Sequence, residues 1–517
     1  MRFLLFLVLF LDVKLIVKVG ALVICCLLQP DFKWGIRFRN SRLPLFYPFI
    51  AGIACLNWIL FKGWRDMDYN LVAITGMLFW ALCFLGVHQV RLFTEKTDTE
   101  LLHRTLLVFF LLNALISVAQ VAHIIWETKA LNPYLYQGDF QRYFISTGDY
   151  IKGLSFDTST TNALINAFGV VYFLARKQGW MLVCCMACLL ATGSNFTNLL
   201  LLAVFGYLFI FDSDKEQKGG IILCLLMGVI FLGKVSPQNN HYTEETFASR
   251  VHRTAPGAVS PIAADQGEAK KAAFAQSYLD SLSNERVKLH PPEARTQVPV
   301  VAPRVIPVED INSAPYQRRS DTNTIQRKLL QFIETNREAL PLASQPEAPD
   351  EARPLGKGLA FSQIFSFLGE HPAKILTGDG MGNFSSKLAF RTTGLDIAGG
   401  YPSRYAYISP DFLGHHLDIY LAYFSRPKQW HSLTNSPDSV YGQLLGEYGV
   451  LGLAAFVLLY IGFFGKRLKK HGYSIPLLLL LTGSFWMGYW FEQLSVVLLF
   501  EAMIFIDCKT VLKPAIS

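Results

Sequence analysis

A histidine and an aspartate stand seven positions apart at the end of a long polar stretch, His431 and Asp438. An imidazole titrates near neutral pH and can take a proton from an attacking hydroxyl. The Asp438 carboxylate competes for that role. Four cations, Arg142, Lys152, Arg391 and Arg404, can hold phosphate oxygens, arginine in a two-pronged grip and lysine as a point charge. Asn435, between the histidine and the aspartate, is grouped with them as a diphosphate or glycan contact. These residue types suit breakage of a sugar–diphosphate bond, where charge builds on the leaving group and cations or a helix N-terminus stabilise the transition state. Each also has a plainer reading. His431 follows Trp430 and can be an interfacial residue. Arg404 sits among Tyr401, Tyr405 and Tyr407, which form either an interfacial belt or a stacking surface for sugar rings. Arg142 and Lys152 can simply flank a span and reach toward headgroups.

The elements that must position these residues are helices in a membrane. With 52% hydrophobic and 17% charged residues in 517, the chain is too apolar for a soluble protein and reads as a polytopic membrane protein. A span needs roughly 20 mostly apolar residues, which places spans near 44–62, 70–92, 101–126, 157–175, 179–194, 196–213, 219–235, 438–465, 474–490 and 492–507. Residues 3–28 carry Asp12, Lys14 and Lys18 inside an apolar run and form a hairpin or one interrupted span, giving about eleven or twelve spans in all. No cleavable signal peptide is expected, because the first apolar stretch runs on without a small-residue cleavage site. Three divisions follow: N-terminal spans over 1–235, a large polar block over 236–437, and C-terminal spans over 438–517.

Cations set the topology. Lys33, Arg37, Arg39 and Arg42, then Arg176 and Lys177, then Lys466, Arg467, Lys469 and Lys470, fall on one side when the spans are threaded in order. Short cytoplasmic loops collect lysine and arginine, so the block 236–437 lies on the side away from the cytoplasm. The net charge of +8 is then a topology signal and implies no nucleic-acid partner. None of the nine cysteines lies in the block, and Cys184, Cys185 and Cys188 read as small residues of a span rather than a metal or redox site.

Within the block, 236–355 is rich in Pro, Ala, Gln and charge and is expected to stay loosely ordered, with helical composition near 265–287 and 323–338. The part 356–437 is expected to be ordered and near the active site. There Leu359, Phe361, Ile364, Phe365 and Leu368 recur at helical spacing, and His371-Pro372 should end the amphipathic helix. Gly378, Gly380 and Gly382 alternate in a run that is either a structural turn or a backbone nest for an anion. Ser436 as N-cap, Pro437 at the first position and Asp438 behind it predict a helix start that becomes a span, its positive pole at the outer surface.

These segments resemble the O-antigen ligase and O-antigen polymerase superfamily of bacterial envelope glycan enzymes. The resemblance rests on Leu444-Leu445-Gly446-Glu447-Tyr448-Gly449-Val450-Leu451-Gly452 after a polar segment with a histidine. It rests also on Glu370-His371-Pro372 with Gly378 to Phe384, on Lys152-Gly153-Leu154-Ser155-Phe156-Asp157, and on Thr192-Gly193-Ser194-Asn195 as a break between short helices. It implies an all-α, GT-C-like fold whose large periplasmic loop contains amphipathic helices. The implied activity is metal-independent, cofactor-free, inverting transfer of glycan from undecaprenyl diphosphate in the inner membrane. The implied partners are that lipid-linked glycan, an acceptor glycan or lipid A-core, the bilayer and a chain-length regulator. Asn195 and Lys152 stand where many ligases carry arginine, and Asp438 where the ligase histidine often stands, which favours a polymerase over a ligase or a protein O-oligosaccharyltransferase. A flippase would show buried charges within its spans and two repeated halves; neither is evident. A sensor or scaffold could own the block but would not require cations to converge with a helix N-terminus.

Overall fold

The apolar runs become helices. The computed structural model describes residues 15–31, 33–36, 41–135, 147–236, 356–393, 405–417, 419–420, 436–468 and 472–510, and among these the regular structure is helical, with no strand. In chain order the helices are α1 Leu15–Leu28, α2 Phe46–Leu60, α3 Met67–Lys96, α4 Thr99–Thr128, α5 Ser159–Ala175, α6 Gly179–Ala191, α7 Asn195–Phe211 and α8 Lys215–Ile230. After the polar block come α9 Gly356–Glu370, α10 Lys387–Thr392, α11 Val440–Ala455 with its π-helical and α-helical continuation to Gly465, α12 Ser474–Ser484, α13 Trp490–Gln493 and α14 Ser495–Thr510. Four of these, α3, α4, α8 extended to Val235 and α11 extended to Gly465, are long and apolar enough to cross a membrane. Six shorter apolar helices accompany them. The chain is an all-α membrane protein.

Burial sorts the helices into inner and outer ones. α5 buries its residues on every face, and α14 is buried from Val496 through Ile506, as expected of helices at the centre of a bundle. That stretch of α14 is apolar except for Glu501, which accepts from Tyr47 OH at 2.7 Å; a buried carboxyl within a helix of the bundle, not evident from the sequence, is therefore present. α7 and α8 instead turn Ile210, Phe211, Val229 and Ile230 outward, an apolar exterior that lipid tolerates and water does not. The centre holds an aromatic knot in which Phe46, Tyr47, Trp80, Phe456, Tyr460 and Phe491 meet at 5.0–6.3 Å, mostly edge to face or tilted, with Phe456 stacked on Tyr460, arrangements that ring quadrupoles favour.

Two departures from the expected spans shape the site. The span expected at 474–490 stops at Ser484, because the chain turns back through 485–489, held by Trp490 Nε1 donating to Ser484 O (2.8 Å) and Val440 N donating to Phe485 O (3.1 Å). In addition, α11 breaks at Gly449, whose φ of 64° and ψ of −162° suit glycine alone. The backbone groups that the break frees are taken by segment 375–380: Val450 N donates to Ile375 O, Leu451 N to Leu376 O, Asp379 N to Gly446 O and Gly380 N to Glu447 O, all at 2.9–3.1 Å. Irregular backbone inside an apolar bundle survives only with such partners. Asn57 on α2 grips the same segment, donating to Gly378 O at 2.7 Å, and Gly76 on α3 leaves room for Met381.

The long helices give the bundle two ends. At one, Arg42 pairs with Glu95, Lys96 with Asp31, Lys509 caps the carbonyls of Thr94 and Glu95, and Arg467 donates to Ser41 O. Arg176 belongs to this end as well, close enough to His103 to act on it electrostatically. The described members of the three cation clusters therefore lie at one end. The other end, about 45 Å away along a 30-residue helix, carries α9, α10 and the segment 371–384.

Candidate functional site

The site grows from three turns that meet where α11 begins. The expected cap at Ser436 is corrected: helix α11 starts at Val440, and Ser439 is its N-cap, in extended conformation with its hydroxyl accepting from Gly442 N at 2.9 Å. Ser436 Oγ instead accepts weakly from Asp438 N, closing a turn before the helix. That shift of three residues leaves Asp438 outside the helix, free to aim sideways. Val440 N and Gly442 N already have partners in Phe485 O and Ser439 Oγ, so the helix end presents fewer open amides than a bare N-terminus.

Asp438 Oδ1 accepts from Tyr489 OH at 3.1 Å and lies 3.3 Å from His416 Nε2. Tyr489 OH is in turn 2.8 Å from His416 Nε2 and 2.9 Å from Ser385 Oγ. Four elements supply this cluster: the π-helical turn Leu413–Leu417, the turn 436–439, the turn 485–489 and the segment before α10. The His416 side chain is 2% exposed and that of Asp438 22%, so the carboxylate is the open end of a buried hydrogen-bonded chain. Below it, Glu447 on α11 accepts from Ser385 N at 3.3 Å, and Glu492 on α13 accepts from Gln443 Nε2 (2.6 Å) and from Leu388 N (2.8 Å).

A second charged group lies at the far side of the turn 410–417. Lys374 pairs with Asp379 and, at 3.1 Å, with Asp411. Burial raises the Asp379 carboxyl to about 7 against the pull of Lys374. Burial also lowers Lys374, but Asp379 and Asp411 outweigh it and hold the ammonium above its usual range. Tyr407 stacks obliquely on Tyr69 at 5.5 Å and donates to Asn383 Oδ1 at 3.1 Å.

Of the residues singled out from sequence, the structure describes three. Asp438 is in the cluster. Arg391, on α10, lines a cavity of about 20 Å³ with Glu492, Tyr448, Trp80 and Phe79 and acts electrostatically on Glu492. Lys152 begins a short turn, Gly153–Ser155, that packs on α4 and α5, where Asn113, Gln120 and Asn162 take its backbone groups at 2.8–2.9 Å; its neighbours are not those of Asp438. His431, Asn435, Arg142 and Arg404 lie outside the described residues, as do 237–355 and therefore the stretches 265–287 and 323–338. The glycine run is a structural turn, with Gly378, Gly380 and Gly382 all at positive φ, and two of its amides occupied by the broken helix. The amphipathic helix forms as α9, ends at Glu370, and packs Ile364, Phe367 and Leu368 against Phe384 and Leu445. Thr192 to Ser194 breaks α6 from α7, with Gly193 at positive φ.

Sequence reasoning missed His416, Tyr489, Ser385 and Lys357. A pair of adjacent histidines, His415-His416, was the available signal, but nothing in its spacing connects it to Asp438 across 22 residues. Tyr489 was hidden inside a presumed span. Among the described residues no group of three or more His, Cys, Asp or Glu side chains is arranged to hold a metal. Two roomier cavities, about 320 and 290 Å³, open at the cation-rich end, beside Lys177 and Asp214 and beside Lys466 and Arg467, away from this cluster.

Fold and site together define an all-α membrane protein with a buried imidazole and phenol joined to a partly exposed carboxylate at one end of its bundle. Comparison with protein-family models, with curated proteins and with solved structures gives no match.

Proposed function

We propose that the chain is a bacterial inner-membrane glycosyltransferase of GT-C-like, eleven- to twelve-span architecture. It moves glycan units from undecaprenyl diphosphate to an acceptor hydroxyl on the periplasmic face and so polymerises envelope polysaccharide repeats. The observation that carries this reading is the contact of Asp438 with His416 and Tyr489 at the mouth of α11. Asp438, the exposed member, accepts the proton of the acceptor hydroxyl as its oxygen attacks the anomeric carbon. Tyr489 and His416 hold the carboxylate in place, and His416 supplies from another turn the imidazole that a ligase carries at the position of Asp438. In this reading the bond from sugar to diphosphate breaks on the opposite face, and Arg391 meets the departing charge. General base assistance of this kind contributes about 10²–10⁴-fold.

The test is replacement of the chromosomal copy by D438A or H416A, followed by gel analysis of surface glycan and immunoblotting of the membrane protein. The expected result is normal insertion with glycan reduced to single repeats on the acceptor. Polymer left unattached on its carrier would instead assign the chain as the ligase. Normal long-chain glycan with D438A would overturn the proposal.

A further inference from the structure

Lys357, at the start of α9, is among the largest fully buried side chains of the described residues, 2% exposed. An ammonium so placed is costly unless its protons and its charge are answered. Its Nζ donates to Ser436 O at 2.7 Å and to Asp438 O at 2.6 Å. Both acceptors belong to the turn that aims Asp438, and no carboxylate of the described residues lies within ion-pair distance of the amine. Burial lowers the amine to about 8, against the longer-range pull of the Asp438 carboxylate. The amine ties the polar block to the mouth of α11.

We infer that Lys357 is a positioning residue for transfer, its amine holding the Ser436–Asp438 turn so that the Asp438 carboxylate is aimed at the acceptor. This rests on the reading of Asp438 given above. The two bonds to the main chain of the turn are the distinguishing element, since a side chain that cannot reach both carbonyls loses the aim of Asp438 without touching the donor. Among the described residues, the other titratable groups around Asp438 are His416 on the turn 413–417, Tyr489 on the turn 485–489 and Tyr420.

The experiment compares K357Q, K357M and K357R, full-length and purified in detergent, with wild type in glycan transfer from a lipid-linked donor. Thermal midpoints are measured alongside, and kcat and KM are determined separately. K357Q and K357M, too short or unable to donate to both carbonyls, should lower kcat at least tenfold with donor KM within about threefold. K357R, which keeps the reach and the donors, should hold kcat within about threefold of wild type. A neutral variant that folds with the kcat of wild type overturns the inference. So does unfolding of both neutral variants beside a normal K357R, or unfolding of all three, since each assigns the ammonium to stability alone. D438A separates the two levels: if it is inactive while K357Q matches wild type, only the role of Lys357 falls, and if it is active the base assignment falls first.

Discussion

Tyr489 has one proton and three neighbours. If its hydroxyl donates to Asp438 Oδ1, it must accept from Ser385 or from His416, and a protonated Nε2 on His416 then serves both Tyr489 and Asp438. The chain of bonds thus favours one tautomer of His416 and leaves the carboxylate as the group that faces outward. Asp379, on the far side of the same turn, has a different consequence, in stability. Its ordinary value is 3.8 and burial lifts it to about 7 in the folded chain. Between those values the folded state holds a proton that the unfolded state has released, so this group's contribution falls as pH rises from about 4 to about 7. Asp379→Asn removes the titration. Relative to wild type its thermal midpoint in detergent should gain across that window, the difference growing with pH and levelling above 7. A constant difference between the two curves from pH 4.5 to 8 would reject this account. From sequence alone Asp379 was one residue of a glycine-rich turn; that turn is held in the bundle by elements far away in the chain, Gly446 O accepting from Asp379 N and Asn57 donating to Gly378 O. Asp438 was legible because it follows Ser436-Pro437 before an apolar run, whereas His416 and Lys357 acquire meaning only when separate turns meet.

At the scale of elements, the break in α11 is what admits the segment 375–380 to the bundle. Gly449 holds a conformation in which any side chain is strained, and a Cβ there would meet Gly378 N at 2.5 Å and Ile375 O at 2.6 Å. Gly449→Ala should therefore lose at least about 2 kcal/mol from backbone strain alone and more from the collision. Gly206→Ala, on α7 with nothing within 4 Å, should be neutral or slightly stabilising. Thermal unfolding of both variants in one detergent checks this, and equal midpoints would show that the break is not needed. The helix positions were largely readable, since uninterrupted apolar runs in lipid have few alternatives to helix. Their internal breaks were not. Gly446, Gly449 and Gly452 recur as small residues do on any packed transmembrane face, and only the four backbone bonds to 375–380 mark the middle one as the kink. The same limit explains the N-cap, where Ser436 and Ser439 are equally good candidates by type and the choice is made by Phe485 O meeting Val440 N.

At the scale of the molecule, the described ion pairs sort the two ends of the bundle without reference to a bilayer. Arg42, Lys96, Arg176, Arg467 and Lys509 collect at the end away from Asp438, each held by partners from other helices or lying beside them. If short cationic loops face the cytoplasm, α9, α10 and the His416–Asp438 cluster face outward, where a lipid-linked donor must be met. The chain is well suited to a direct test. Its nine cysteines leave the whole stretch from 225 to 507 without one, and each is buried or half-buried. A single cysteine at Ser283, within the polar block, should react with a membrane-impermeant maleimide in cells with a permeabilised outer envelope. One at Lys466, beside the cation-rich end, should react only after the inner membrane is opened. Labelling of Lys466→Cys in intact inner membranes, with Ser283→Cys protected, would reverse the orientation. It would put the cluster on the side where nucleotide sugars rather than flipped lipid-linked glycans are found, and the proposed donor would fall with it.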